Sequence, residues 1–166
     1  MNTQHYILIG LWIAYCALHS VLADQRIKDF IQKMMGRRYI FYRLIYSFFA
    51  FISLALLLWY QFTIKSYLLF HNLFFQMAAG VITVLPGIFI MIVCIKKYFV
   101  ELSGIQALEK KPLHVTLQQK GLHKYVRHPL YSGTLLFVWG LFILFPFLSN
   151  LIACVIMHTY VLIGIY

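Results

Sequence analysis

Between Lys120 and Gly133 the chain reads KGLHKYVRHPLYSG and then turns apolar. Arg127, His128 and Tyr131 bring side-chain donors to the place where a helix begins. Pro129 suits the first turn of that helix, where its missing N–H costs little. The unpaired backbone N–H groups of a first turn attract negative or electron-rich groups. The chemistry this pattern offers is therefore the capture of such a ligand. The plainer alternative is a capped helix anchored at an interface by Arg and Tyr. Gly133 and Gly140, seven residues apart, share a face and let a neighbouring helix or a ligand approach closely. The segment before the junction, Lys96 to Arg127, is the longest polar stretch. It carries His114 and His123, with His128 just beyond, and Glu101 and Glu109, half of the four acids. The three histidines are nine and five residues apart, which no helix brings to one face, and no acid accompanies them closely, so no metal site is read. Cys16, Cys94 and Cys154 each lie inside an apolar run without a paired Cys or His. They read as small buried hydrophobes.

The elements that must position these residues are set by composition. Of 166 residues, 63% are hydrophobic and 11% charged. That excludes an ordinary soluble domain. Five apolar segments stand out: Tyr6–Ala23, Tyr42–Phe62, Leu73–Ile95, Leu130–Phe147 and Asn150–Tyr166. Their lengths are those of membrane helices, about 20 residues, rather than of barrel strands. The first segment lacks a basic start and holds Trp12 and His19, so it is read as a retained helix and not as a signal peptide. Pro86-Gly87 predicts a kink in the third. Only Pro146 to Asn150 separates the last two, which predicts a tight hairpin. The expected fold is thus an all-α integral membrane domain of about five transmembrane helices covering residues 1–166, with a tight hairpin between the last two and a polar loop before the fourth.

The formal charge of +10 would suggest nucleic acid on a soluble chain. The placement of the charges points instead to the lipid bilayer, with no nucleic-acid partner. All Lys and Arg except Lys65 fall in or beside the first and third loops, which share a side in a five-helix chain. The positive-inside rule makes that side cytoplasmic, with the N-terminus outside and the C-terminus inside. In the first loop, Ile27, Phe30, Ile31 and Met34 recur at helical spacing with Arg26, Lys28, Asp29 and Lys33 between them. This predicts a short helix lying on the membrane surface. The third loop holds Leu102, Ile105, Leu108, Leu113, Val115 and Leu117, too apolar for a solvated tether, so it is expected to fold back under the bundle.

The pattern GLHKYVRHPLYSG resembles the signature of the isoprenylcysteine carboxyl methyltransferase family of membrane enzymes that use S-adenosylmethionine. Gly121, Arg127, His128, Pro129, Tyr131 and Gly133 match it. ELSGIQAL (Glu101–Leu108) and ALHSVLADQRIKDF (Ala17–Phe30) look more like a bacterial branch that includes thiol S-methyltransferases, which implies a bacterial inner membrane. The similarity is dense over Lys96–Tyr166 and thin elsewhere. It implies a cofactor pocket for S-adenosylmethionine, built from the backbone of Val115, Thr116, Leu117 and Gln118 and from His128, Pro129, Leu130 and Tyr131. His123 stands where the family carries an aromatic residue that contacts the cofactor. The family continues after its last helix with a Glu-Glu pair and a short tail, whereas this sequence stops at Tyr166, so the expectation is a domain without that tail. No catalytic residue is assigned, because methyl transfer from a sulfonium to a thiolate or carboxylate needs alignment and exclusion of water rather than a general base. The implied function is methyl transfer from S-adenosylmethionine to a lipophilic or small thiol or carboxylate acceptor. The alternatives are a lipid-amine methyltransferase and a non-catalytic membrane binding or assembly protein that keeps the fold.

Overall fold

The computed structural model describes residues 2–71, 73–103 and 128–165. Asn2 opens the first helix, α1 (Thr3–Ala23), through a capping box in which its side-chain oxygen accepts from the His5 N–H at 3.2 Å and the His5 side chain reaches back. Asp24 ends α1 and caps α2 (Gln25–Met35), accepting from the Arg26 N–H at 2.8 Å. Gly36, at φ 53°, stops α2 as only a residue tolerant of positive φ does readily. A short helix therefore stands where the spacing of Ile27, Phe30, Ile31 and Met34 predicts one. It leaves Phe30 and Met34 exposed beside Arg26 and Lys33. A 3-10 segment (Gly36–Phe41) leads into α3 (Tyr42–Thr63).

α4 (Leu73–Ser103), α5 (Pro129–Leu144) and α6 (Leu148–Ile165) follow. Among the described residues, four helices are long and apolar enough to cross a membrane, over Thr3–Ala23, Leu44–Thr63, Phe74–Lys96 and Leu148–Ile165, and α5 is a shorter apolar helix. Among the described residues there is no strand beyond one isolated bridge. Large apolar side chains such as Phe48, Phe51, Trp59, Ile82 and Phe89 point outward, which water would not tolerate and lipid does. The protein is an all-α integral membrane protein.

The helix bounds differ from the sequence reading by a few residues, and two of the differences bear on the site. α4 does not stop at Ile95: it continues through Lys96 to Ser103, so the start of the predicted loop is helix. Nothing between Ile95 and Ser103 breaks a helix, and charge alone ends a membrane span without ending its backbone. α5 stops at Leu144 rather than Phe147, because Pro146 is drawn into a turn. Leu69 N–H donates to the Pro146 carbonyl at 2.9 Å and Leu148 N–H to the Tyr67 carbonyl at 2.9 Å. Pro86 lies inside α4 without ending it.

The same end of the bundle gathers the N-terminus, the α3–α4 connection and the α5–α6 turn. His5 is fully buried there, stacked on Tyr67, with its Nε2 3.3 Å from the Ser66 hydroxyl, which also accepts from the Ser149 N–H at 2.8 Å. A second polar chain crosses the core. Trp12 Nε1 donates to Gln61 Oε1 and Gln61 Nε2 to Asn150 Oδ1, both at 2.9 Å, and Asn150 Nδ2 donates to the Phe145 carbonyl at 2.7 Å. Around these bonds Leu8, Trp12, Leu57, Ile64, Ile152 and Ala153 form the core between α1, α3 and α6.

Candidate functional site at the start of α5

α5 is held against α4 at very short range. A Cβ added at Gly87 would come within 2.6 Å of the Phe137 backbone N, one at Gly140 within 2.7 Å of the Val84 N, and one at Gly133 within 2.9 Å of Ile90 Cγ2. Gly80 meets the Leu144 side chain in the same way. The glycine face predicted at Gly133 and Gly140 is thus real, and its partner is a helix carrying its own pair, Gly80 and Gly87, at the same spacing. Without a hydrophobic drive between helices in lipid, such close backbone packing holds them together. The pairs Gly80–Leu144, Val84–Gly140, Gly87–Phe137 and Ile90–Gly133 fix one antiparallel register. Extended by one more turn, it puts His128 level with Lys96, where the apolar span of α4 ends. The start of α5 therefore lies at the membrane boundary.

At that boundary Pro129 occupies the first turn and is buried, while His128 and Tyr131 are exposed. Their rings stack with centroids 5.5 Å apart and planes 20° from parallel. The spacing of three residues brings both to one side of the turn. Among the described residues no side chain caps this helix, and the first-turn N–H groups of a helix are the kind of donor that attracts an anionic group. Leu130 is half-buried. The other residues assigned from the resemblance, Val115, Thr116, Leu117, Gln118 and His123, lie outside the described residues, as do Arg127, His114 and the expected fold-back of the loop.

A polar cluster that sequence reasoning passed over lies inside the bundle near the same end. The Tyr46 hydroxyl sits 2.9 Å from His19 Nδ1, and Tyr15 stacks on the His19 ring at 6.1 Å. The Ser20 hydroxyl donates to Tyr160 Oη at 3.0 Å, which ties α1 to α6. Tyr42 donates to the Leu22 carbonyl at 2.6 Å, and burial pushes its phenol above the ordinary range. The signal was available, since an ionisable residue inside an apolar run is rare and functional by default. Cys16, Cys94 and Cys154 are all buried, as read.

Fold and site together define an α-helical membrane protein in which the start of α5, at the lipid boundary, carries an exposed imidazole and phenol. Residues 75–166, more than half of the chain, match the family model of the phospholipid methyltransferases, the family of isoprenylcysteine carboxyl methyltransferase-like membrane enzymes. The chain belongs to that family, and the matched region runs from α4 through α6. Neither curated proteins nor solved structures yield a match.

Proposed function

We propose that this protein methylates a lipophilic acceptor at the start of α5, using S-adenosylmethionine. The observation that carries the reading is the family match across the helices that present His128 and Tyr131 at the membrane boundary. The bound cofactor supplies a methyl group activated as a sulfonium. The described residues fit such a group. The N–H groups of Leu130 and Tyr131 and the His128 imidazole are donors suited to a carboxylate. The face of the Tyr131 ring is electron-rich and suits a sulfonium cation. Pro129 fixes the turn that aims them. On the resemblance, Val115 to Gln118 and His123 complete the wall.

The chain has little else to do. Its residues hold the methyl donor and acceptor in line and keep water out, and alignment of that kind supplies several kcal/mol of barrier reduction. A site level with the end of the α4 span lets a polar cofactor arrive from water and an acceptor from lipid. The near-exclusive placement of Lys and Arg in or beside the first and third loops supports a cytoplasmic position for this side, with the N-terminus outside.

The acceptor is a thiol or carboxylate on a lipophilic or small molecule. A second reading, the amine of a phospholipid head group, is favoured by the description of the matched family. The test is transfer of radiolabelled methyl from S-adenosylmethionine by the protein in nanodiscs. Separate reactions offer phosphatidylethanolamine, a long-chain thiol and a prenylated cysteine carboxylate. Label in the thiol or carboxylate product alone supports the first reading, and label in the phospholipid alone supports the second. A fourth reaction offers a small water-soluble thiol, and no label in any of the four products contradicts both.

A further inference from the structure

Between α1 and α3 runs a groove of about 260 Å³ that the methyl-transfer reading does not use. It lies on helices that precede the family-matched residues. Its walls are Leu11, Ala14 and Leu18 from one helix and Phe49, Ala50 and Leu56 from the other. Ser53 also lines it, but its hydroxyl donates back to the Phe49 carbonyl at 2.8 Å, so the wall presents no spare polar group there. From Leu11 to Leu22 the groove follows α1 for about 16 Å at 1.5 Å per residue. That is close to half of a hydrocarbon core about 30 Å thick, the depth of one leaflet.

The two ends differ. The Leu11 end is apolar. The Leu22 end holds the His19–Tyr46 pair with Tyr15 beside it. His19 lies four residues from the end of α1, about 6 Å below it, the depth at which the ester of a lipid meets its chain. A neutral imidazole has one N–H and one acceptor nitrogen. The Tyr46 hydroxyl lies 2.9 Å from Nδ1 and 3.1 Å from Nε2, so it meets both ring nitrogens, and the pair forms one polar spot in an otherwise apolar wall, the place for the polar ester of a lipid. Directly beyond Leu22 comes α2 with Arg26, Lys28 and Lys33, and then Arg38. The two acids there, Asp24 and Asp29, keep their charge but are outnumbered by these four cations. The mouth is therefore cationic and complements a phosphate.

We propose that the α1–α3 groove seats one acyl chain of an anionic glycerophospholipid, with its ester at the His19–Tyr46 pair and its phosphate against the basic face of α2. A bulk lipid would touch every outward helix face alike, whereas this one is held in a fixed register. The proposal is independent of the methyl-transfer reading.

The full chain is placed in nanodiscs with phosphatidylglycerol bearing a diazirine in its acyl chain, photolysed, and the labelled peptides are mapped by mass spectrometry. Label is expected to concentrate on the groove-facing positions of α1 and α3. It is expected to fall by about tenfold in the double variant Ala14→Phe/Ala50→Phe, which fills the groove, and to persist in Ile82→Phe on the lipid face of α4. Phosphatidylcholine with the same chain is expected to label the groove several-fold less. Even labelling over the outward faces of α1, α3 and α4 in the unaltered protein overturns the proposal without recourse to any variant. Label unchanged by the double variant overturns it as well, and equal labelling by the two lipids overturns the anionic head group.

Discussion

Gly87→Ala is the substitution that bears hardest on the position of α5. The added Cβ would stand 2.6 Å from the Phe137 N, 3.0 Å from the Phe137 Cα and 3.0 Å from the Gly133 carbonyl. All three are backbone atoms, so no rotamer change relieves the clash. Ordinary contact begins at 3.4 Å, and the helices must part by about 0.8 Å at this point. A gap of that size forfeits a quarter to a half of each dispersion contact along the seam. Overpacking of this kind costs about 1–3 kcal/mol, offset by the better helix propensity of Ala, about 0.8–1 kcal/mol. The net expectation is a loss of about 0–2 kcal/mol, and a larger gap of about 1–3 kcal/mol from an Ala substitution that gains propensity without a clash. Gly140→Ala meets the Val84 backbone at 2.7 Å and belongs in the same class. Gly80→Ala meets mainly the Leu144 side chain, which can turn, and costs less. Gly10→Ala meets nothing within 4 Å and is expected to be neutral or stabilising. The assay is equilibrium unfolding in mixed detergent micelles, followed by tryptophan fluorescence. Equal midpoints for Gly87→Ala and Gly10→Ala would refute the close α4–α5 seam and, with it, the register that sets His128 at the boundary.

Gln61→Leu leaves the Trp12 N–H and the Asn150 carbonyl oxygen without their buried partner. It is expected to lower stability by about 1–3 kcal/mol in the same assay, while Thr63→Ala, at an exposed position, changes it little. Tyr42→Phe removes one bond to the Leu22 carbonyl and is expected to cost about 0.5–1.5 kcal/mol. For orientation, a Cys in place of Lys65 is expected to react with an impermeant maleimide added outside intact cells and a Cys in place of Lys33 to be spared; the reverse pattern would put α2 and the start of α5 on the outer side.

Membrane helices announce themselves by length and apolarity, which is why α1, α3 and α6 were legible within a few residues and α2 by the spacing of Ile27, Phe30, Ile31 and Met34. Gly133 and Gly140 were legible as a contact face because only small side chains let backbones approach. Their partners Gly80 and Gly87 were not, since helix pairing depends on the topology rather than on either segment alone. The extension of α4 to Ser103 was missed because Lys96 and Lys97 mark the edge of the lipid and say nothing about the backbone. The turn at Pro146 was misplaced by a few residues because its partners, Tyr67 and Leu69, are distant in sequence. His19 was visible as a polar intruder in an apolar run, but its role needs Tyr46 and Tyr15, which only the packing of α1 on α3 supplies. At the site, the His128–Tyr131 pairing followed from helical spacing. The function assigned to it came from motif resemblance, since an imidazole and a phenol at a helix start name no reaction by themselves.

The central claim is that the start of α5 helps to hold S-adenosylmethionine, and calorimetric titration of the cofactor into the protein in nanodiscs tests it most directly. Saturable binding is predicted, weakened about tenfold in His128→Ala and in Tyr131→Ala, the loss of roughly 1–2 kcal/mol that a missing hydrogen bond or ring contact brings. Both variants should keep the unfolding midpoint of the parent, since both side chains are exposed. The absence of saturable binding to the parent protein, or undiminished affinity in both folded variants, would contradict the account.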